Sequence, residues 1–152
     1  ELTRALDCYR PPVGDLLLSG QEPDVEMKQA AKPNWKSYAS FCDIKPSWQN
    51  TIAAFRRSPD QKLVLEAYEG AQLVGYLAFF PRTGAVAQLA VHQDYRNQGI
   101  AKCLLKEAIK RSQAPALLIL NIDHNITALA VFLERIYLKR FLTQHELLLR
   151  IL

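Results

Sequence analysis

The sequence predicts an α+β fold in which a mixed, mostly antiparallel sheet is flanked by about four helices. Two observations support this prediction. Three apolar runs separated by tight turns between residues 62 and 92 indicate an antiparallel meander. An amphipathic helix over residues 99–112 then links the third run to another strand. Because a crossover helix joins parallel neighbours, we expect that strand pair to be parallel. Parallel neighbours that splay apart leave a cleft, which is a natural ligand site.

The composition is that of one globular domain. The chain has 152 residues, of which 49% are hydrophobic and 22% charged, and this excludes global disorder. The net charge of +4 is spread without a basic run, so we expect no nucleic-acid partner. No apolar run is long enough for a membrane span, and no signal peptide is visible. Three cysteines without a CxxC pair predict a reduced, cytoplasmic protein, and three scattered histidines predict no metal site. Because there is no long apolar run, we also expect no membrane partner.

The N-terminal third contains a predicted arm and several short elements. Residues 1–12 end in two prolines, which predicts a linker or arm and places the domain at residues 13–152. A short strand is expected at residues 16–18. Over residues 23–55 the apolar spacing is helical and predicts two or three short helices, one of them capped by Ser47.

The remaining elements follow from changes in the apolar period. A period near two indicates strands, and a period near 3.6 indicates helices. The predicted elements are strands at 62–67, 73–80 and 85–92, a helix at 99–112, a strand at 116–121, a helix capped by Asn125 or Thr127 and reaching about Tyr137, and a strand at 147–152.

The start of the helix at 99–112 is the stretch most informative about chemistry. A strand ends, a short polar turn follows, and Gly99 opens the helix. The first N–H groups of a helix have no internal partner and its macrodipole adds about half a positive charge, so a pyrophosphate fits there. Gly99 allows close approach because it has no side chain, and Ala101 is also small. Arg96 and Lys102 add positive charge at the rim.

Residues 96–101, Arg-Asn-Gln-Gly-Ile-Ala, resemble the Arg/Gln-x-x-Gly-x-Gly/Ala motif of the GNAT superfamily of acyl-CoA-dependent N-acetyltransferases. The preceding strand and the order of elements are also similar, and the resemblance covers roughly residues 15–152. It implies a GNAT-like fold with acetyl-CoA as cosubstrate. The implied CoA-binding residues are Leu89, Ala90, Val91, Arg96, Asn97, Gln98, Gly99, Ile100, Ala101, Lys102, Asn125 and Phe132.

Other phosphate-binding and hydrolytic motifs are excluded. A dinucleotide-binding fold needs GxGxxG after its first strand, whereas antiparallel hairpins precede this loop. The Gly-Lys-Ser/Thr sequence of a Walker loop and the Gly-x-Ser-x-Gly sequence of a serine hydrolase are both absent from the sequence.

The resemblance leaves the catalytic groups open. Residues 132–138 are similar to the superfamily's Phe-Tyr-Glu-Lys-Leu-Gly-Phe stretch, with Leu133 in place of its tyrosine acid and Tyr137 in place of its glycine. Tyr137 is therefore either a displaced acid or a packing residue. Gln88 stands where some relatives carry glutamate, and it either orients the amine or is an ordinary polar residue. Asn125 either contacts pantetheine or is a plain N-cap.

The predicted function is transfer of an acetyl group from acetyl-CoA to a primary amine of an unidentified small molecule or peptide, directly in a ternary complex. The resemblance implies that a backbone N–H around Ala90 and Val91 stabilises the oxyanion. Glu66 and Glu69 are either bases acting through water or solvated residues. The alternative function is a CoA-binding domain that has lost catalysis, and the expected protein partner is a second copy or a tandem domain. Four aromatic residues of the early helices either line the amine pocket or pack on the sheet: Trp35, Tyr38, Phe41 and Trp48.

Overall fold

The computed structural model describes residues 2–11, 18–43 and 45–151, which form a seven-stranded sheet with helices on both faces. The sheet order is β2-β3-β4-β5-β6-β1-β7, and β5 and β6 are the parallel pair. The strands are β1 (Leu2–Arg10), β2 (Glu26–Gln29), β3 (Leu63–Glu69), β4 (Gln72–Phe80), β5 (Ala85–Val91), β6 (Leu118–Asp123) and β7 (Lys139–Leu147). The helices are α1 (Trp35–Ala39), α2 (Ile52–Arg57), α3 (Ile100–Arg111) and α4 (Thr127–Arg135), with 3₁₀ helices at Trp48–Asn50 and Gln93–Tyr95.

The predicted fold class is confirmed. The meander is β3-β4-β5, α3 is the crossover helix, and β5 and β6 are parallel as expected. No helix in the described part of the chain is long and apolar enough to cross a membrane.

Each face of the sheet has its own apolar core. One core contains the buried sides of α3 and α4, including Leu104 and Leu133. The other contains the residues of α1 and α2, where Tyr38 stacks on Tyr76 with ring centroids 4.1 Å apart. Among the four early aromatics, Trp35, Tyr38 and Phe41 pack in this second core, whereas Trp48 is 64% exposed. The interpretation as packing is therefore correct for Trp35, Tyr38 and Phe41, of which Phe41 also contributes to the wall of a cavity.

The N-terminal segment is part of the sheet, so the prediction of a linker or arm over residues 1–12 is wrong for residues 2–10. This segment is β1, which lies between β6 and β7 and is antiparallel to both. The side chains of Leu6, Cys8 and Tyr9 are almost fully buried there. The strand stops at Arg10, and proline at position 11 has no backbone N–H for a further ladder bond.

Several predicted boundaries also differ from the structure. Residues 26–29 form β2 instead of helix, because they pair with β3 as an edge strand. Of the strand expected at 16–18, residues 16 and 17 lie outside the described residues, and Leu18 is not in a strand. Ser47 precedes a 3₁₀ helix without capping it, and the residue at the N-cap of α4 is Ile126. The last strand is β7, at 139–147, whereas a strand is predicted at 147–152; the described residues 148–151 are not in a strand.

A buried carboxylate ties β1 to its two neighbours. Asp7 is 3% exposed and accepts hydrogen bonds from Thr143 Oγ1 on β7 at 2.6 Å and from His124 Nδ1, just after β6, at 2.8 Å. Arg140 Nη1 lies 3.4 Å from Asp7 Oδ2. Burial raises the pKa of Asp7, but the hydrogen bonds from Thr143 and His124 and the charge of Arg140 together lower it below its usual value. These bonds hold β1 in the sheet.

Replacing Asp7 by Asn is expected to lower the free energy of unfolding at pH 7 by about 2 kcal/mol, the range for hydrogen bonds to a charged group. A carboxylate with a depressed folded pKa stabilises the fold above its unfolded pKa of about 3.9, and this contribution disappears as the pH falls through the folded value. The Asp7→Asn variant should therefore lose less stability than the wild type between pH 5 and strongly acidic pH. Urea unfolding over this range measures the difference, and identical acid sensitivity would contradict it.

Candidate functional site

A gap opens between the parallel strands β5 and β6. Among the described residues, the two strands pair only over residues 85–86 and 118–119. Beyond this point β5 carries a bulge at Ala87, which has no partner on β4. β6 contains Asn121 in the left-handed region with a φ of 60°, where its register with β1 also shifts. Since bulges bend strands and increase their twist, these two irregularities separate the strands.

Backbone N–H groups of β5 face this gap. The His92 amide donates to the Val74 carbonyl on β4 at 2.8 Å, so by alternation the amides of Leu89 and Val91 point away from β4. The Val91 carbonyl also points away from β4, and it accepts a hydrogen bond from Arg96 Nε at 3.0 Å. In the described chain β6 does not pair with β5 at this level. Two amides are thus directed into the gap without a strand partner.

The N-terminus of α3 lies at the same cleft. Gly99 precedes the helix with a φ of 90°, and a Cβ there would lie 3.0 Å from the Gln21 carbonyl oxygen. Only glycine adopts this conformation without strain. The Cys103 amide donates to the Gly99 carbonyl at 3.1 Å, so the amides of residues 100–102 have no partner within the helix. This arrangement is suited to an anion.

Arg96 is held by protein groups instead of being free at the rim. Its guanidinium makes a bidentate ion pair with Asp43 at 2.9 and 3.0 Å and donates to the Phe41 carbonyl at 2.9 Å. Its Nε binds the Val91 carbonyl. The positive charge that Arg96 was predicted to add at the rim is therefore balanced by Asp43, and the side chain links the loop after α1 to the end of β5.

The segment before β2 covers the start of α3. Lys102 Nζ lies 3.4 Å from the Ser19 carbonyl, and Lys106 forms an ion pair with Glu22. Pro23 Cδ lies 3.4 Å from the position of a Cβ on Gly99. These contacts form one wall of the cleft beside the amides of residues 100–102.

The gap and the start of α3 open into one cavity of about 900 Å³, a size typical of ligand sites. Its walls include Glu69 but not Glu66, whose buried carboxylate accepts hydrogen bonds from Tyr38 and Tyr68. The predicted site residues in its walls are Gln88, Leu89, Ala90, Val91, Arg96, Asn97, Gln98, Gly99, Ile100, Ala101, Lys102 and Phe132.

Two predicted site residues lie elsewhere. The backbone and side-chain nitrogens of Asn125 both donate to Asp123 Oδ1, at 2.9 and 3.1 Å. Asn125 does not line the described cavity, and it does not cap α4, so its interpretation as the N-cap is wrong. Its contact with pantetheine stays a prediction. Tyr137 does not line the cavity either, and its side chain is 56% exposed, so it is not a buried packing residue.

Tyr137 instead terminates α4. Its φ is 69°, its amide donates to the Glu134 carbonyl, and the Leu138 amide donates to the Leu133 carbonyl at 3.0 Å. This is the left-handed residue that usually ends a helix as glycine, which explains the glycine in the resembling stretch. A tyrosine there carries the strain of a Cβ in the left-handed region.

Replacing Tyr137 by Gly is expected to stabilise the protein by about 0.5–1 kcal/mol, because relief of left-handed strain exceeds the entropy that glycine adds to the unfolded chain. Tyr137→Ala is the matched control, since it removes the ring and retains the Cβ. Thermal melting of both variants measures the effect. Equal melting temperatures for the two variants would contradict it.

α4 presents Phe132 to the cavity and Leu133 to the core. Phe132 is half-buried and lines the cavity, whereas Leu133 is fully buried against the sheet. The other described side chains of α4 in the cavity wall are Ala128, Leu129 and Arg135. No tyrosine of the described part of α4 faces the site.

One part of the cavity wall, which follows α1, was not predicted from the sequence. Cys42, Asp43, Ser47 and Asn50 line the cavity opposite α3, together with Asn121 on β6. These residues carry no motif and approach the gap only because the chain folds back over the sheet. The positive φ of Asn121 is a signal that sequence can suggest, since asparagine tolerates the left-handed region.

Solved structures with the same fold include acetyltransferases. A GCN5-related N-acetyltransferase from Kribbella flavida matches at 15% identity and a TM-score of 0.61, covering 94% of this chain and 57% of its own. A ribosomal-protein-alanine N-acetyltransferase from Brucella melitensis matches at 20% identity and 0.54, covering 84% and 99%. A functionally unknown conserved protein from Staphylococcus epidermidis matches at 17% identity and 0.65, covering 92% and 59%.

These likenesses show the fold alone, and the chain spans less than two thirds of the length of the Staphylococcus and Kribbella proteins. Comparison with curated protein sequences gives no significant match. A sequence model of the acetyltransferase (GNAT) family matches residues 26–136, which is most of the chain. The protein therefore belongs to the GNAT family of acetyltransferases.

Proposed function

We propose that this protein binds acetyl-CoA and transfers its acetyl group to a primary amine of a small molecule or peptide. The observation that carries the proposal is the continuity of one cavity from the amides at the start of α3 to the gap-facing amides of β5. Acetyl-CoA, the usual cosubstrate of the family, fits these residues. Gly99 and Ala101 leave room for a pyrophosphate on the helix N-terminus, and the gap beside β5 accepts an extended pantetheine arm.

The chain's own groups can serve the acyl transfer. The amine nitrogen attacks the thioester carbonyl carbon, the C–S bond breaks, and the negative charge develops first on the carbonyl oxygen and then on sulfur. The gap-facing amides of Leu89 and Val91 are placed to donate to that oxygen. The amide of Ala90, which the resemblance implied, faces β4 by the same alternation. Leu89 therefore replaces Ala90 as the proposed oxyanion donor.

We expect the attacking amine to lose its proton, and the leaving thiolate to gain one, mainly by exchange with solvent. The amide of Gln88 cannot accept a proton as a carboxylate does, and it is already hydrogen-bonded at both ends. The leaving thiolate has a pKa of about 8.5 by analogy with cysteine, so it departs without a strong acid. The attacking amine must be neutral, so we expect the rate to rise with pH towards the pKa of the acceptor.

Release of free CoA thiol over a panel of amines tests the proposal. The panel contains polyamines, aminoglycosides, amino acids and peptides. An alanine-initiated peptide is included because one structural neighbour is named as a ribosomal-protein-alanine N-acetyltransferase. We expect thiol release with at least one acceptor class, together with acetylated product by mass spectrometry. Tight CoA binding without release on any acceptor would reject acetyl transfer.

A second candidate function is CoA binding without catalysis. The observation that favours it is the replacement of the family's tyrosine acid by the buried Leu133. Isothermal titration with CoA separates the candidates from a domain that binds no CoA, and the acceptor panel separates them from each other.

A further inference from the structure

A chain of side-chain hydrogen bonds crosses the closed end of the gap between β5 and β6. Gln88 Nε2 on β5 donates to the Asn50 carbonyl at 2.6 Å. Asn50 Nδ2 then donates to the Leu120 carbonyl on β6 at 2.7 Å. In a continued parallel ladder the Leu120 carbonyl would accept from the next β5 amide. The side chains of Gln88 and Asn50 thus replace the first missing hydrogen bond of the β5–β6 ladder, next to the paired residues.

The β5 end of this bridge is anchored in the core. Gln88 Oε1 accepts from the Tyr76 hydroxyl at 2.8 Å, and Tyr76 is fully buried, stacked on Tyr38. Burial raises the pKa of Tyr76, so its hydroxyl stays protonated and donates. Cys42 Sγ lies 3.3 Å from that hydroxyl. Gln88 itself is 8% exposed and Asn50 is 9% exposed.

The bonds of the bridge require an amide at position 88. Gln88 accepts at one end from a hydroxyl and donates at the other to a carbonyl, which one amide group can do. A glutamate, the residue that some relatives carry here, is an acceptor only when ionised. Its second oxygen would face the Asn50 carbonyl without a proton between them. The choice of glutamine is thus explained by the bridge and not by proton transfer.

We propose that Gln88 and Asn50 act as positioning residues that fix the width of the β5–β6 gap and thereby the place of the thioester beside the gap-facing amides. This rests on the proposed use of acetyl-CoA. The pair acts at the closed end of the gap, whereas the pyrophosphate contacts lie at the start of α3. Breaking the bridge should therefore weaken the binding of pantetheine without changing the binding of the nucleotide end. Small misplacements of a reacting group cost large factors in rate.

Two isosteric variants test the proposal. Gln88→Glu removes the donor to Asn50, and Asn50→Asp removes the donor to Leu120, while Gln72→Glu makes the same chemical change at an exposed position of β4. With the amine found in the panel, we expect kcat at pH 8 to fall about 10- to 100-fold in each bridge variant and to stay unchanged in Gln72→Glu. The double variant should be no slower than the slower single variant, because the two bonds act in series.

Lowering the pH gives a readout that a merely structural role would not produce. In the Gln88→Glu variant, protonation of the introduced carboxylate restores an O–H donor at position 88. The ratio of variant to wild-type kcat should therefore rise as the pH falls towards the pKa of that carboxylate. If a carboxylate at position 88 acted as a base, Gln88→Glu would be faster than the wild type at high pH, and that result would overturn the proposal. Unchanged kcat in folded bridge variants would also overturn it.

A binding measurement keeps the test independent of turnover. Calorimetry compares CoA with 3′-phospho-ADP, which contains the nucleotide end and lacks pantetheine. In both bridge variants we expect CoA to bind about five- to tenfold more weakly, while 3′-phospho-ADP binds as in the wild type. Equal losses for the two probes, or none, would reject the bridge. A wild type that binds CoA and acetylates nothing rejects the proposed function alone, since this comparison still decides the bridge. Should Gln88→Glu fail to fold, Asn50→Asp carries the same comparison.

Discussion

Gly99→Val is expected to weaken CoA binding by about 100-fold or more, because a branched side chain would push the segment at Gln21 and Pro23, which forms one wall of the cleft, away from the start of α3. The φ of 90° at Gly99 is unfavourable for any L-residue, and the Cβ would already lie 3.0 Å from the Gln21 carbonyl. Valine adds two methyl groups beyond that point. The backbone at Gln21 and Pro23 would then have to move, and the wall of the cleft beside the first turn of α3 would be displaced.

The matched control is Gly70→Val in the turn between β3 and β4. Gly70 also has a positive φ, of 56°, but a Cβ there would meet nothing within 4 Å. Both substitutions carry the left-handed strain of about 1–2 kcal/mol, and Gly99→Val should lower the melting temperature further because its Cβ also meets the Gln21 carbonyl. Calorimetry with CoA should show the affinity loss for Gly99→Val alone. Similar CoA affinities in the two variants would mean that the nucleotide end binds elsewhere.

The features that sequence predicts correctly are local in the chain. Gly99 could be identified as the residue that opens α3 because a helix start depends on neighbouring residues. The meander was predictable for the same reason, since β3, β4 and β5 are joined by short turns.

The features that sequence did not predict depend on distant partners. β1 pairs with β6 and β7, whose residues follow it by more than a hundred positions, so nothing near residues 2–10 signals a central strand. The bridge at the gap likewise joins Gln88 to Asn50 across 38 positions. A glutamine in a strand has no pattern that reveals which carbonyl it will meet.

The departure from the family pattern at Tyr137 is explained by the backbone geometry at this position. The resemblance placed it where relatives have glycine. The positive φ explains that glycine, and the exposed ring does not line the described cavity. By the resemblance, the family's tyrosine acid corresponds to Leu133, which is buried in the core, whereas its neighbour Phe132 lines the cavity.

Leu133→Tyr, which restores the family's tyrosine at its aligned position, is expected to destabilise the protein by about 3 kcal/mol and to give no gain in turnover. Leu133 is 0% exposed in the core beneath α4, so a larger ring overpacks it and the new hydroxyl is buried without a designed partner. For a domain of this size the melting temperature should fall by roughly 10 °C. Phe132→Tyr is the matched control, because it places the same hydroxyl at the cavity wall and should change stability by less than about 1 kcal/mol. A stable Leu133→Tyr variant with faster thiol release would show that position 133 reaches the reaction centre, and the proposed orientation of α4 would then have to be abandoned.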